Sequence, residues 1–251
     1  MTPRPPVAGP GAPGPTEVEI TDQPAVTRTY RQVRFEHPPG SCELVLVRHG
    51  ESAAAQPDRP FLLVEGRGDP PLSKEGEEQA HRLARRLSGT SFDACYVTPL
   101  QRTAQTAAPL AARLGLEPVV EPRLIEVHMG EWEGGRYRER IAARDPLAAR
   151  VFLEERWDVV PGAEPNESLF ARTSAAVHDI ATRHPGGRVL VVAHAVSIAA
   201  VLAGATSSSP LAFVGADNAS ISVLVVAAGR RILRRFNDTA HLEDPQPLDL
   251  A

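Results

Sequence analysis

The chain has 251 residues, a length that suits one domain of ordinary size or two small ones. Its net charge of −4 gives no global electrostatic case for binding nucleic acid or an anionic membrane. No signal peptide is visible, and the longest apolar stretch, residues 189–205, is short for a membrane span and is interrupted by His194. Cys42 and Cys95 form no Cys-x-x-Cys motif, which predicts buried thiols in a cytoplasmic protein, with a disulfide as the lesser alternative.

The first 42 residues carry little pattern that would build a core. Residues 1–15 are almost all Pro, Gly, Ala or small polar residues, and such a segment buries too little surface to offset its chain entropy. Residues 26–35 alternate enough to suggest an extended arm. We therefore predict a disordered or extended tail over residues 1–42 and a single folded domain over residues 43–245.

The first half of that domain alternates strands and helices. The run Leu44-Val-Leu-Val47 is typical of a strand buried on both faces, and residues 53–71 form a long loop after it. Further elements are predicted as a helix from an N-cap at Ser73 to Leu87, a strand at 92–97, a helix from about 100 to 114 and a strand at 117–120.

The second half begins with a turn-rich segment and ends with a hairpin. The predicted elements are helices at about 136–155 and 166–184, a buried strand at 188–193, a helix at 196–203, and hairpin strands at 220–227 and 231–236. This order predicts an α/β fold: a mostly parallel sheet with helices on both faces and an antiparallel edge hairpin.

The candidate functional residues follow the buried strands. The first strand ends at Arg48 and His49, a later one ends at His194, and Arg102 lies in the first turn of the helix after the second strand. Strand ends of a parallel sheet meet at one edge, where ligands bind. Two guanidinium groups, two imidazoles and a helix N-terminus favour a dianionic phosphoryl group. Each residue alone is more often structural, but their corresponding positions favour a shared pocket.

Five motifs occur in order between about Glu43 and His241. They are Leu46-Val-Arg-His-Gly-Glu-Ser52, Gly66-x-x-Asp69-x-Pro71-Leu72-Ser73-x-x-Gly76, Thr98-Pro-Leu-Gln-Arg-Thr-Ala-Gln-Thr-Ala107, Leu124-x-Glu126-x-x-x-Gly130-x-Trp132-Glu-Gly134 and Val191-Val-Ala-His194. With these motifs the chain resembles the histidine phosphatase superfamily, which has the phosphoglycerate mutase-like fold.

The resemblance implies a role for each central residue. It makes His49 the nucleophile that becomes phosphorylated, Glu126 the general acid, and Arg48, Arg102 and His194 the groups that hold the phosphoryl oxygens. It implies no metal ion and no cofactor, and no spacing of His, Asp or Glu in the chain suggests a metal site.

Four positions qualify this resemblance. Ser52 either binds the phosphate or caps the following turn, and Ala195 is a further candidate for substrate binding. The family often has Asn six residues after the nucleophile, where this chain has Ala55. It usually has glycines after the second histidine, where this chain has Ala195 and Val196.

We therefore expect a metal-independent phosphomonoesterase that acts through phosphohistidine on a small phosphorylated metabolite. No nucleic-acid or membrane partner is expected, and association into a homodimer is left open. One alternative is phosphoglycerate mutase-type phosphoryl transfer. The other is a weakly active protein that binds a phosphorylated ligand, which Ala55 and Ala195 suggest.

The segment after Glu126 bears on the choice between phosphatase and mutase. Glu131 and Glu133 would repel a second phosphate if they faced the pocket, although they are interpreted mainly as solvated loop charges. Trp132 is interpreted as a packing anchor and His128 as a loop histidine without a special role. Arg136, Arg138 and Arg140 favour a mutase, because a mutase needs a second cluster of positive charge for a second phosphate.

Overall fold

The computed structural model describes residues 30–243. The predictions for residues 1–29, and the last two residues of the predicted domain, lie outside the described residues. The chain divides into a unit that ends at Glu36 and a second unit that begins at His37. Residues 30–36 contain no helix or strand, and the elements of the fold belong to the second unit.

Strands and helices alternate through most of this unit. The strands are β1 (Cys42–Arg48), β2 (Leu63–Val64), β3 (Arg67–Gly68), β4 (Ala94–Val97), β5 (Pro118–Val120), β6 (Arg188–Ala193), β7 (Ile221–Ala227) and β8 (Arg230–Asp238). The helices are α1 (Lys74–Leu87), α2 (Gln101–Leu114), α3 (Arg136–Ala142), α4 (Pro146–Leu153), α5 (Asn166–Arg183) and α6 (Ala195–Thr206). Within residues 30–243, none of these helices has the length and apolar character needed to cross a bilayer.

Six strands form one sheet in the order β5-β4-β6-β1-β7-β8. The first four are mutually parallel, whereas β7 runs antiparallel to β1 and forms the edge hairpin with β8. Ala228 and Gly229 close that hairpin with φ angles of 42° and 78°, the left-handed pair that suits a two-residue turn. The predicted fold class is confirmed.

Side chains of β1 alternate between two apolar layers, one on each face of the sheet. Leu44 and Leu46 belong to a cluster with residues of α5 and α6, and Val45 and Val47 to a cluster with residues of α1 and α2. All four side chains are at most 4% exposed, as expected of a strand covered on both sides. Cys42 and Cys95 are buried free thiols, and burial raises their pKa to about 11 and about 12.

Two expectations about secondary structure were wrong. The single helix predicted at about 136–155 is two helices, because Arg144 takes a φ of 53° and Asp145 then caps α4, where Pro146 is the first residue. A residue before proline is disfavoured in a helix, so the sequence carried this signal. The loop predicted at 53–71 contains the small β2–β3 hairpin.

Gly76, in the first turn of α1, packs directly on the loop that follows β1. A Cβ at Gly76 would lie 1.9 Å from the carbonyl oxygen of Glu51, so Gly76→Ala forces the helix and this loop apart. We expect the free energy of unfolding to fall by about 1–3 kcal/mol, measured by denaturant titration. Gly89→Ala is the control, because its Cβ would meet no atom within 4 Å. Equal stability of the two variants would contradict this close contact.

Candidate active site

The topology places the two predicted histidines side by side. β1 and β6 are parallel neighbours with Arg48 opposite Ala193, so His49 and His194 each follow their strand at the same edge of the sheet. The backbone N–H of His49 donates to the carbonyl of Ala193 at 3.0 Å, and the two imidazole centroids are 5.1 Å apart.

Arg102 comes to the same edge from the neighbouring strand. It is the second residue of α2, which follows β4 after a short turn, and it is only 7% exposed. Its Nε donates to Nε2 of His49 at 3.2 Å, and its Nη1 donates to the carbonyl of Gly68 at 3.0 Å. Nη1 also lies 3.8 Å from the carboxylate of Asp69, which helps to orient the guanidinium.

The hydrogen bonds of His49 define its tautomer. Nδ1 lies 2.7 Å from the carbonyl oxygen of Gly50, and because a carbonyl only accepts, Nδ1 carries the proton. Nε2 therefore keeps its lone pair. Burial, followed by the charges of Arg102 and Arg48, holds the pKa of His49 well below its usual value, so the ring is neutral at pH 7.

The backbone around His49 is fixed by side chains that sequence reasoning missed. Thr106 accepts the N–H of Gly50 at 2.9 Å, and Asn218 donates to the carbonyl of His49 at 2.9 Å. Each contact joins segments more than fifty residues apart. No local pattern in the sequence marks them.

Two buried nitrogen atoms at this edge have no hydrogen-bond partner among the described residues. They are Nε of Arg48 and Nδ1 of His194. Arg48 is fixed through Nη1, which donates to the carbonyl of Ala216 at 2.6 Å, and His194 through Nε2, which lies 2.9 Å from the hydroxyl of Thr98. Burial, followed by the charge of Arg102, holds the pKa of His194 well below its usual value.

Glu126 reaches the same region from the segment after β5. Its Oε1 accepts from the backbone N–H groups of Val127 at 2.9 Å and Ser197 at 3.1 Å, and its Oε2 accepts from Val196 at 3.3 Å. The carboxyl group thus lies at the N-terminus of α6. Burial raises the pKa of Glu126, and these hydrogen bonds oppose the rise only in part.

Arg172 on α5 holds the segment that carries Glu126. Its guanidinium donates to the backbone carbonyls of Arg123 and Ile125, both at 2.7 Å, and of Glu126 at 3.2 Å. It also forms a two-point ion pair with Glu164 at 2.7 and 2.9 Å. Sequence reasoning missed this residue, because it binds backbone atoms that any sequence would supply.

A cavity of about 610 Å³ opens above these groups. Six of the seven predicted site residues line it, namely Arg48, His49, Ser52, Arg102, Glu126 and Ala195. The seventh, His194, is fully buried beside His49 rather than in the cavity wall. The cavity wall also includes apolar side chains, among them Phe61, Met129, Tyr137 and Val214.

The departures from the family pattern fall at two different places. Ala195 is the first residue of α6 and lines the cavity, and the N–H of the following residue, Val196, binds Glu126. The chain after His194 is therefore the start of a regular helix, which Ala and Val can adopt. Ala55 lies beside Gly135, where a Cβ on that glycine would be 3.0 Å from the Cβ of Ala55.

The acidic residues after Glu126 behave differently from one another. The interpretation of Glu133 as a solvated loop charge was wrong: its two carboxylate oxygens accept the backbone N–H groups of Gly68 at 2.9 Å and Met129 at 2.8 Å. Glu131 is exposed, as predicted. Trp132 is 4% exposed within an apolar cluster, which confirms its packing role.

The part of the chain from residue 30 to residue 243 holds no group of three or more His, Cys, Asp or Glu arranged to bind a metal ion. The donor set around the cavity is instead rich in guanidinium groups, contributed by Arg48, Arg67, Arg102 and Arg138. Such groups suit phosphate and carboxylate oxygens.

Residues 44–239 match the family model of the histidine phosphatase superfamily, branch 1. The chain belongs to this superfamily. Among similar proteins, phosphoserine phosphatase 1 of Hydrogenobacter thermophilus is 35% identical over 204 residues, which cover 80% of this chain and 94% of that protein. The metal-independent phosphoserine phosphatase of Arabidopsis thaliana is 31% identical over 204 residues, covering 80% and 83%.

The solved structures confirm the fold. The crystal structure of phosphoglycerate mutase from Bacillus anthracis superposes with a TM-score of 0.68 and 22% identity, covering 81% of this chain and 96% of that one. The predicted histidine phosphatase family, phosphoglycerate mutase-like fold and enzyme class are thus confirmed. The chain is a histidine phosphatase, and reactions of this superfamily pass through phosphohistidine.

Proposed function

We propose that the enzyme hydrolyses small phosphate monoesters without a metal ion, with His49 as nucleophile and Glu126 as proton donor. The observation that carries this proposal is the contact of His49 Nδ1 with the carbonyl of Gly50, which leaves Nε2 without a proton. This unprotonated Nε2 lies 3.2 Å from Nε of Arg102, in the wall of a cavity that Glu126 also lines. A nucleophile with a free lone pair, cations for the phosphoryl oxygens and a proton donor are what the reaction needs.

In the first step, Nε2 of His49 attacks phosphorus and the bond from phosphorus to the ester oxygen breaks. Glu126 gives its proton to the departing oxygen, so an alcohol leaves. Arg48 and Arg102 balance the charge on the three remaining oxygens, and His194 donates a hydrogen bond to one of them. Nε of Arg48 and Nδ1 of His194 are the buried nitrogen atoms without a partner among the described residues. Arg102 moves its N–H from Nε2 to a phosphoryl oxygen, which frees the lone pair for attack.

In the second step, the Glu126 carboxylate takes a proton from water as that water attacks phosphohistidine. The bond from phosphorus to Nε2 breaks, and inorganic phosphate leaves. This restores neutral His49 and protonated Glu126. The hydrogen bond from Nδ1 to Gly50 keeps the ring in one orientation throughout both steps.

The substrate we propose is a small phosphorylated metabolite that fits a cavity of about 610 Å³. The relatives named phosphoserine phosphatase make phosphoserine one compound to test. A cytoplasmic location remains a prediction. The homodimer stays open.

The distinction between phosphatase and mutase has a direct test. Of the three arginines on α3 that favour a mutase, Arg138 alone lines the cavity, whereas Arg140 donates to Asp145 at 3.1 Å and Arg136 to the carbonyl of Glu131 at 3.4 Å. Beyond Arg48 and Arg102, a second phosphate would thus find Arg138 and Arg67, and Arg67 already donates to the carbonyls of Glu126 and Glu65. We expect phosphate release from 3-phosphoglycerate or phosphoserine, without a bisphosphoglycerate primer, to exceed isomerisation.

The assay compares inorganic phosphate release with exchange between 2- and 3-phosphoglycerate, each with and without primer. Primer-dependent exchange that is faster than phosphate release would establish the mutase alternative. An absence of turnover across a panel of phosphorylated metabolites, together with their binding, would establish the binding-protein alternative.

A further inference from the structure

Arg138 is held in the cavity wall from three sides. Its Nη2 donates to the hydroxyl of Ser52 at 2.7 Å, and its Nη1 donates to the carbonyl of Ala53 at 2.7 Å. The guanidinium carbon lies 5.7 Å from the centre of the Phe61 ring. A guanidinium has five N–H donors, so these two bonds leave three others for a ligand.

The contact with Arg138 also determines what Ser52 can do. A guanidinium only donates, so the Ser52 hydroxyl accepts in this bond and its own hydrogen points elsewhere. Ser52 is 6% exposed and lines the cavity, and no described contact supplies an acceptor for that hydrogen. The hydroxyl hydrogen is thus available to a ligand in the cavity.

Small residues allow α3 to approach the loop that carries Ser52. A Cβ on Gly135, just before α3, would lie 3.0 Å from the Cβ of Ala55 and 3.2 Å from the Phe61 ring. Gly135 also has a φ of 106°, which other residues rarely adopt. Ala55 is the position at which the family often has an asparagine that binds the phosphate. This chain lacks that amide and has the guanidinium of Arg138 nearby.

The positive charge of Arg138 affects the pKa values of the groups around the phosphoryl site. It is one of the positive groups that lower the pKa of His49, and it lowers the pKa values of Arg48 and Arg102 as well. A positive group that lowers the pKa of its neighbours in this way favours an anion among them. A dianionic phosphoryl group would satisfy all of them.

We propose that Arg138 and Ser52 form a pair that binds the phosphoryl group, in place of the asparagine amide that this chain lacks. Arg138 acts as a positioning residue for the Ser52 hydroxyl and adds a charge-assisted donor for a phosphoryl oxygen. This inference rests on the proposed function. It adds Arg138 to the phosphate site and gives Ser52, already a candidate from the sequence, a defined role as a donor.

The test compares Arg138→Met with Arg136→Met, a matched change on the same helix at an exposed residue outside the cavity wall. The measurements are the inhibition constant of inorganic phosphate and kcat/KM for 4-nitrophenyl phosphate. For Arg138→Met we expect phosphate to bind at least about tenfold more weakly and kcat/KM to fall by at least as much. Arg136→Met should leave both within about twofold.

Two further variants separate charge from geometry. Arg138→Lys keeps the charge but loses the paired N–H donors of the guanidinium, so its phosphate affinity should lie between those of wild type and Arg138→Met. If circular dichroism shows that Arg138→Met does not fold, the phosphate affinity of Arg138→Lys relative to wild type still tests the contribution of the paired N–H donors. The double variant Ser52→Ala/Arg138→Met should be little worse than the poorer single variant, because the two residues act as a unit.

Three outcomes would overturn the inference. One is an Arg138→Met enzyme that behaves like Arg136→Met. Another is full additivity of the Ser52 and Arg138 changes. The third is unchanged phosphate affinity with a raised KM for a larger ester, which would place Arg138 against the leaving group. If wild type forms no phosphohistidine, the proposed function is contradicted. A loss of phosphate binding in Arg138→Met would still support the binding role of Arg138.

Discussion

Replacing His49 with alanine is expected to abolish the turnover of phosphate monoesters, with a loss of at least about four orders of magnitude in kcat. His49 is the sole histidine among the described residues that line the cavity, and its unprotonated Nε2 lies beside Arg102. The neutral state of His49 follows from its burial and from the cations around it, so the nucleophile needs no base to activate it.

The decisive measurement is the covalent adduct. Wild type quenched during turnover of a radiolabelled ester should carry a phosphoryl group that is stable to alkali and labile to acid, as phosphoramidates are. His49→Ala should carry none. His81→Ala, a change on the exposed face of α1, is the control and should label normally. An acid-stable adduct on Ser52 would refute the assignment of the nucleophile.

The centre of the site could be predicted because its signals are local. The apolar runs before His49 and His194 mark buried strands, and parallel pairing then brings the two strand ends together. Arg102 was predictable for the same reason, since a helix that starts directly after a strand projects its first turn over that edge. Hydrophobic pattern and chain order were sufficient for these three residues.

The surrounding support could not be predicted, because it joins distant segments through backbone atoms. Arg172 binds three carbonyls, and Asn218 binds the carbonyl of His49. A backbone carbonyl leaves no trace in the residue types that flank it. Likewise, the sequence around Glu133 is the same for a solvated carboxylate and for one that accepts two backbone N–H groups. In the structure Glu133 accepts two such groups.

The broken helix at Ala143 to Asp145 is a different case, since its signal was present. Pro146 restricts the residue before it, and Asp145 is a favoured capping residue. Tyr137 of α3 and Val151 of α4 nevertheless pack on the same apolar cluster, so the two helices share one packing surface despite the break. Local steric rules for the residue before proline therefore determine where α3 ends.

Replacing Glu126 with glutamine is expected to divide the reaction into a fast and a slow half. The side chain keeps its shape but loses the proton that the departing oxygen needs, so turnover of alkyl phosphates should fall by about 10²–10⁴-fold. With 4-nitrophenyl phosphate the leaving group needs little acid assistance, so phosphorylation of His49 should persist. Hydrolysis of phosphohistidine then lacks its base.

Stopped-flow absorbance should therefore show a burst of about one nitrophenolate per active site, followed by slow steady-state release. Phosphohistidine should accumulate during that slow phase, measurable by quenching and acid lability. Glu131→Gln, at an exposed residue outside the cavity wall, should retain the kinetics of wild type. Steady turnover of Glu126→Gln without a burst would refute the dual role of this carboxyl group.

The same variant should change the pH dependence of kcat/KM. The first step needs neutral His49 and protonated Glu126, so activity falls as pH drops through the pKa of His49 and as pH rises through the pKa of Glu126. Burial lowers the pKa of His49 and raises the pKa of Glu126, and both shifts increase the fraction of enzyme that holds the two required forms together. Loss of Glu126 should abolish the alkaline limb and leave the acidic limb in place. An alkaline limb that survives in Glu126→Gln would assign the proton to another group.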